Sequence, residues 1–339
     1  MTEQTLMSGQ EQTLVEASAP ARVPVRDLQD GRRVQGVYAV RERELRRKRN
    51  GEPWLRLSLG DATGTVEAVS WDDAEERYAV AGAGAPVFVS GAFEVSDRWG
   101  SKIKLTGIRP AEPGEYEPGD LAAESAVSFD RLETDLRELL GTVQDPQLRE
   151  LLDAFFGEES EIWARFLDAP AAKVYHQAYR HGLLEHTLSV AQAVSAASGF
   201  FPGIDRDVAI AGALLHDIGK TEAYNDDLMA IDLTDAGRLQ GEIPLGYYKV
   251  RRRIEDIPDF DPDLAQAVLH IILSHHGSLE HGSPVVPATR EAVLVHMLDN
   301  LGGRLGSFDR IERELPEGES WSRFDRALSG SAYFGRRAA

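Results

Sequence analysis

Apolar residues recur at every second position in the first third of this chain and at helical spacing in the rest. That single change limits the fold more than any other feature. Alternation runs through Val34-Gln35-Gly36-Val37-Tyr38-Ala39-Val40 and Trp54-Leu55-Arg56-Leu57-Ser58-Leu59, and again through 64–71, 86–91 and 101–106. A period of two marks strands with one buried face, and five short strands separated by glycine-bearing turns are most economically closed into a small barrel, which leaves no edge unpaired. Between residues 110 and 120 proline, glycine and glutamate crowd together as in a linker. From Ser128 the apolar spacing is helical, with Ser128 as a candidate cap and Leu132, Leu136 and Leu139/Leu140 on one face. Further helices are expected around 146–156, 160–168, 182–199, 206–216, 244–256, 261–276 and 287–301. The predicted organisation is a polar, disordered tail (1–21), a five-stranded barrel (22–110), a linker (111–127) and an all-α domain (128–339), a multidomain α and β chain.

Composition narrows the chemistry. The 339 residues contain no cysteine, which excludes disulfides, thiolate zinc sites and a cysteine nucleophile. No apolar run reaches the ~20 residues that cross a bilayer, and the first 21 residues lack the basic start and apolar core of a signal peptide. A cytoplasmic protein without membrane partners is expected. The net charge of −19 argues against nucleic-acid binding by bulk electrostatics. The charge is uneven, however: residues 22–112 hold 16 Lys and Arg against 14 Asp and Glu, so the acidity lies in the helical part.

There a set of imidazoles and carboxylates stands out. His216-Asp217 ends the apolar run 208–215, and neighbouring helix residues do not normally point the same way. A shared ligand such as a metal ion explains the pair. His186 lies on an amphipathic helix, His275-His276 precede Gly277, and Asp299 follows His296-Met297-Leu298. Taken singly, each is ordinary: a core histidine, a helix-end cap, a surface acid. Together they form a donor set suited to Mn²⁺, Fe, Co²⁺, Ni²⁺ or Zn²⁺, with the oxygen share admitting Mg²⁺. Asp217 is the natural bridge if two ions bind rather than one. Lys220, one turn further on, either contacts a phosphate oxygen as a catalytic group beside Asp217 or simply complements the helix C-terminus.

The order His…His-Asp…Asp resembles the HD superfamily of metal-dependent phosphohydrolases. Gly241-Glu242-Ile243, the run 270–278, Gly282-Ser283-Pro284 and Asp299-Asn300-Leu301 are similar to the YhaM-type 3′–5′ exoribonucleases, over about residues 22–335. The resemblance implies an OB-fold followed by an HD domain, divalent metal (typically manganese), and degradation of single-stranded nucleic acid, RNA before DNA, from the 3′ end. It implies metal-site roles for His186, His216, Asp217, His275, His276 and Asp299. The chain departs from the family pattern at Gly241-Glu242, where a Gly-His pair is usual; Glu242 then either coordinates through oxygen or weakens a second site. It also departs at His176-Gln177 and His181-Gly182, where the family has His-His and Gly-Gly.

The first domain carries one basic segment, 41–49, in which Arg46, Arg47, Lys48 and Arg49 are candidates for phosphate contact through the loop after the first strand. Glu42 and Glu44 are equally placed to neutralise those arginines. Trp99, beside Gly100 in a polar turn, is the leading candidate for base stacking, ahead of Tyr38, Trp54 and Trp71. Three functions remain open on these grounds: an exonuclease releasing 5′ mononucleotides, an HD-type phosphohydrolase of a small nucleotide, and a non-catalytic nucleic-acid-binding protein with a structural metal. The oligomeric state has no sequence signal.

Overall fold

The structure is a computed structural model that describes residues 23–96, 100–122, 124–125, 127–173, 177–315, 318–325 and 328–335. The expected tail lies outside these residues. Five strands, β1 (Arg33–Arg47), β2 (Pro53–Asp61), β3 (Gly64–Ser70), β4 (Pro86–Ser96) and β5 (Gly100–Pro110), close into a barrel in the order β1-β2-β3-β5-β4. All neighbours are antiparallel except β3 and β5, which pair in parallel from Glu67↔Lys102 to Val69↔Lys104. Helix α1 (Ala74–Val80) links β3 to β4 and packs Ala74 and the following Ala81 into the barrel core beside Val34, Tyr38 and Leu57.

β1 is long enough to serve two neighbours. Its first half pairs with β4, from Arg33↔Ala92 to Ala39↔Pro86, and its second half with β2, from Ala39↔Gly60 to Arg47↔Pro53. The register shifts between Val40 and Glu42. Such a bulge re-aims side chains, and here it carries Arg41 out of the barrel. Arg41 donates to the carbonyls of Leu228 (3.1 Å), Met229 (2.6 Å) and Leu121 (2.5 Å). Burial pushes its pKa down, against the opposing pull of Asp61 and Asp227. Alternation fails across 36–40, where every residue is buried. The second face of the strand is covered: Val37 and Ala39 pack with Leu121, Phe88 and Met229. The 111–127 segment is therefore pinned by Leu121, which is fully buried.

The remainder is helical. Its main members are α2 (Phe129–Gly141), α3 (Pro146–Phe156), α4 (Gly182–Ser198), α5 (Arg206–Leu215), α6 (Glu242–Asp256), α7 (Pro262–Ser274) and α8 (Arg290–Glu314). Three starts follow one recipe. Asp145, Asp205 and Asp261 each accept two backbone N–H groups of the first turn, an arrangement worth ~1 kcal/mol per helix. Pro146 and Pro262 occupy the first helical position, where no N–H is needed. Ser128 sits at the corresponding place before α2, but its side chain makes no capping bond. α5 is buried on all sides, from Val208 to Leu215, which marks it as the central helix. α4, α7 and α8 surround it. The last helix extends to Glu314 rather than ending near 301. Among the described residues, no helix is long and apolar enough to cross a membrane.

Arg41→Ala removes a charged donor from three main-chain acceptors. It is expected to lower unfolding free energy by ~1.5–3 kcal/mol and to expose the 111–127 segment to protease. An unchanged urea midpoint and digestion pattern would refute the anchoring role.

Candidate metal centre and nucleic-acid interface

Four segments of the helical part deliver their polar groups to one buried point. α4 supplies His186, the end of α5 supplies His216 and Asp217, the end of α7 supplies His275 and His276, and the middle of α8 supplies Asp299. The Nε2 atom of His186 lies 3.3 Å from Asp217 Oδ2 and 3.1 Å from Asp299 Oδ1. His216 Nε2 lies 3.2 Å from Asp217 Oδ2 and 3.8 Å from Asp299 Oδ1, while His275 Nε2 faces the other Asp217 oxygen at 3.5 Å. The donors fall into two triads: His186, His216 and Asp299 in one, Asp217, His275 and His276 in the other, with ligand atoms within 4.8 Å of one another in each. Glu242, at the start of α6, stands 3.8 Å from His276 Nε2 on the side of the second triad.

The tautomers are set by the backbone. His216 Nδ1 meets the carbonyl of Ala213 at 2.6 Å, and His275 Nδ1 meets that of Ile272 at 2.8 Å. A carbonyl only accepts, so each Nδ1 carries the proton and each Nε2 offers a lone pair to the centre. Those two Nε2 atoms and Asp217 Oδ1 are buried and have no hydrogen-bond partner of proper geometry, although carboxylate and imidazole atoms lie within 4 Å. Buried polar atoms left in this state demand an explanation. A divalent cation supplies one, so the residues fit a metal.

Electrostatics point the same way. Burial would lower the His186 pKa from 6.5, but Asp217 and Asp299 overcome it and push it up to about 9. Burial would raise Asp217, yet Lys220, His216 and His186 hold it well below the carboxylate range, and Asp299 is likewise depressed. The cluster attracts positive charge. Lys220 Nζ donates to Asp217 Oδ2 at 2.7 Å and is itself buried.

Two glycines allow this crowding. A Cβ on Gly219 would collide with the Glu242 carbonyl and lie 2.6 Å from the Gly246 nitrogen, so only glycine lets α6 approach the His216-Asp217 turn. Gly277 has φ +81°, and a Cβ there would enter the His296 ring. His296 was absent from the sequence-based candidates. Its Nδ1 donates to the His275 carbonyl at 2.7 Å and braces the turn bearing both histidines. The only available signal was its position three residues before Asp299. His181 serves packing: it starts α4 with φ +65°, meets the Leu167 carbonyl through Nδ1 and rests on Phe129. His176 lies outside the described residues.

A family model described as HD domain matches residues 183–303. The 3′-5′ exoribonuclease YhaM of Bacillus licheniformis is 30% identical over 274 residues, 80% of this chain and 84% of the relative. The Bacillus subtilis protein of the same name is 30% identical over 271 residues, with the same shares covered. This chain belongs to the YhaM exoribonuclease family. Among solved structures, the second OB-fold domain of replication protein A from Methanococcus maripaludis matches 28% of this chain and 98% of its own, at 17% identity and TM-score 0.23. The barrel assignment rests on the strand pairing described above.

In this YhaM-family chain the basic segment is less loop-like than the sequence suggests. β1 continues through Arg47, and only 48–52 turn toward β2. Arg46 pairs with Glu44 at 2.7 Å, Arg47 donates to the Gly51 carbonyl, and Lys48 pairs with Glu52 at 3.2 Å. Glu42 is drawn away to Lys173 at 2.8 Å. Trp99 lies outside the described residues. An aromatic surface does form nearby: Trp54 and Trp71 stack at 4.8 Å, with Arg46 over the first ring at 5.6 Å and Lys48 over the second at 5.8 Å. Trp71 is 41% exposed.

Protons and metal compete for the donor set. In metal-free protein the charged His186 pairing is fully present below pH 6.5 and is lost as pH rises through about 9. Metal needs the neutral ring. The melting-temperature gap between metal-loaded and metal-free protein is therefore expected to widen from pH 6.5 to 9, and His216→Ala is expected to remove the gap. A gap that narrows over this range contradicts the assignment.

Proposed function

We propose that this protein is a metal-dependent 3′–5′ exonuclease that hydrolyses single-stranded RNA to 5′ mononucleotides. The observation that carries this reading is the pair of adjacent donor triads, with Asp217 of the second turning one carboxylate oxygen toward His186 and His216 of the first and the other toward His275. The 3′-5′ exoribonuclease relatives, matched over most of their length, support the substrate. When bound, divalent metal supplies Lewis-acid polarisation at phosphorus and acidifies the attacking water. His186, His216, Asp299, His275, His276 and Asp217 hold it. Lys220 keeps the Asp217 carboxylate oriented, since its ammonium is buried and already engaged.

Manganese is the proposed resident ion. Glu242 adds a carboxylate oxygen on the His276 side, a hard donor that suits Mn²⁺ and Mg²⁺. The barrel (22–110) gathers the strand and the helical part (128–339) cuts it, with 111–127 between them. Phosphates meet Arg46, Arg47, Lys48 and Arg49, and bases meet the Trp54–Trp71 surface. The reaction is placed in the cytoplasm.

Purified protein incubated with 5′-labelled single-stranded RNA or DNA, with Mn²⁺, Mg²⁺ or chelator, is expected to give a ladder shortening from the 3′ end in Mn²⁺ and none in chelator. Asp217→Ala should be inactive while keeping its helical circular dichroism. Cleavage of free mononucleotides in preference to oligomers would favour the small-nucleotide reading. Metal bound without turnover on any substrate would favour the structural one. Reversing charge at Arg46, Arg47 and Arg49 should raise KM for oligomers and reduce the slope of log affinity against log salt by roughly 2. A small diester should be hydrolysed at the wild-type rate.

A further inference from the structure

α8 is apolar on the wrong side. Its inner face packs Ala292, Leu294 and Val295 into the core. Its outer face shows Val293, Met297, Leu301, Leu305 and Phe308, exposed by 44, 59, 48, 55 and 36%. The spacing of 4, 4, 4 and 3 residues draws one continuous stripe along the helix, about 22 Å long. Single exposed leucines are ordinary, but an aligned row of them along four turns is the pattern of a helix that meets another helix.

We propose that this face docks a second copy of the same chain, with the two α8 helices antiparallel about a two-fold axis at Leu301. The stripe reads alike from both ends. Under that axis Met297 faces the partner's Leu305, Val293 comes beside the partner's Phe308, and Leu301 meets its own copy. Charge agrees: Arg290 at one end of the face lies opposite Glu312 at the other, and antiparallel helix dipoles attract. The area is also adequate. The segment after α8 packs back on it through Phe308–Phe334 and Arg310–Asp325, and it exposes Trp321, Phe324 and Tyr333 by 59, 69 and 57%. At roughly 100 Å² each, the five stripe residues present about 500 Å², and the segment that packs at Phe308 adds to it, toward the ~800 Å² that each partner gives a stable interface.

The chain's lack of cysteine makes the test clean. Wild-type protein at micromolar concentration should sediment at twice its 37.3 kDa. Met297→Glu and Leu305→Lys should each halve that mass, and the double variant should restore it, because the two new charges face each other across the axis. Leu301→Cys should form a disulfide-linked dimer under mild oxidation, while Arg131→Cys, on α2, should not. The metal-dependent melting shift serves as the fold check for every variant. The proposal is overturned by a monomeric wild type, by an assembly that survives both single variants, or by equal cross-linking of the two cysteine variants. It is equally overturned if deleting residues 1–22 converts a monomer into a dimer, since the chain's own N-terminus would then be the occupant.

Discussion

Everything at the metal centre turns on one carboxylate that has no freedom to rotate. Asp217 sits at the end of a helix buried on every side, beside a glycine whose missing Cβ admits α6, and under a lysine that grips one of its oxygens. Its second oxygen is thereby aimed at His275. The chain thus places a buried acid among imidazoles at a considerable electrostatic cost, and only positive charge offsets it. The same demand accounts for the backbone carbonyls behind His216 and His275, which leave the inward nitrogens able to coordinate but unable to donate.

Much of this arrangement was legible in the sequence because polar residues at the end or on the inner face of an apolar helix are conspicuous. His186, His216, Asp217, His275, His276 and Asp299 each interrupt an otherwise apolar stretch, and the structure brings them together. Contacts between distant segments were not legible. Trp54 belongs to β2 and Trp71 follows β3, so their stacking depends on strand register. The buried run 36–40 looked like a strand with one wet face until its outer side met Leu121 and Met229. The last helix, expected around 287–301, runs on to Glu314 through the Gly302-Gly303 pair. Tertiary contact carries the helix through them: Gly302 lies against Val190 of α4. Ser128 takes the cap position with extended backbone, but its side chain makes no capping bond.

The barrel and the helical part meet at a loop of particular consequence. Residues 224–233 leave directly from the Lys220–Ala223 turn beyond Asp217, and they receive Arg41 at Leu228 and Met229 and Lys173 at Asp232. The basic strand β1 is thereby joined to the segment that follows the Asp217 turn. The covered apolar patch around Leu121 stiffens that junction further.

β1 gives that junction a length. Its bulge is bolted down at Arg41, and its far end presents Arg46, five residues along at roughly 3.3 Å each. The strand is paired on that stretch with β2 from Glu42↔Ser58 to Arg47↔Pro53, so it neither stretches nor swings. It acts as a ruler of about 17 Å. Trimming two residues from each arm of the hairpin would bring its tip nearer by about 7 Å while leaving every contact at the base untouched. Reach in this molecule is written as a number of strand residues.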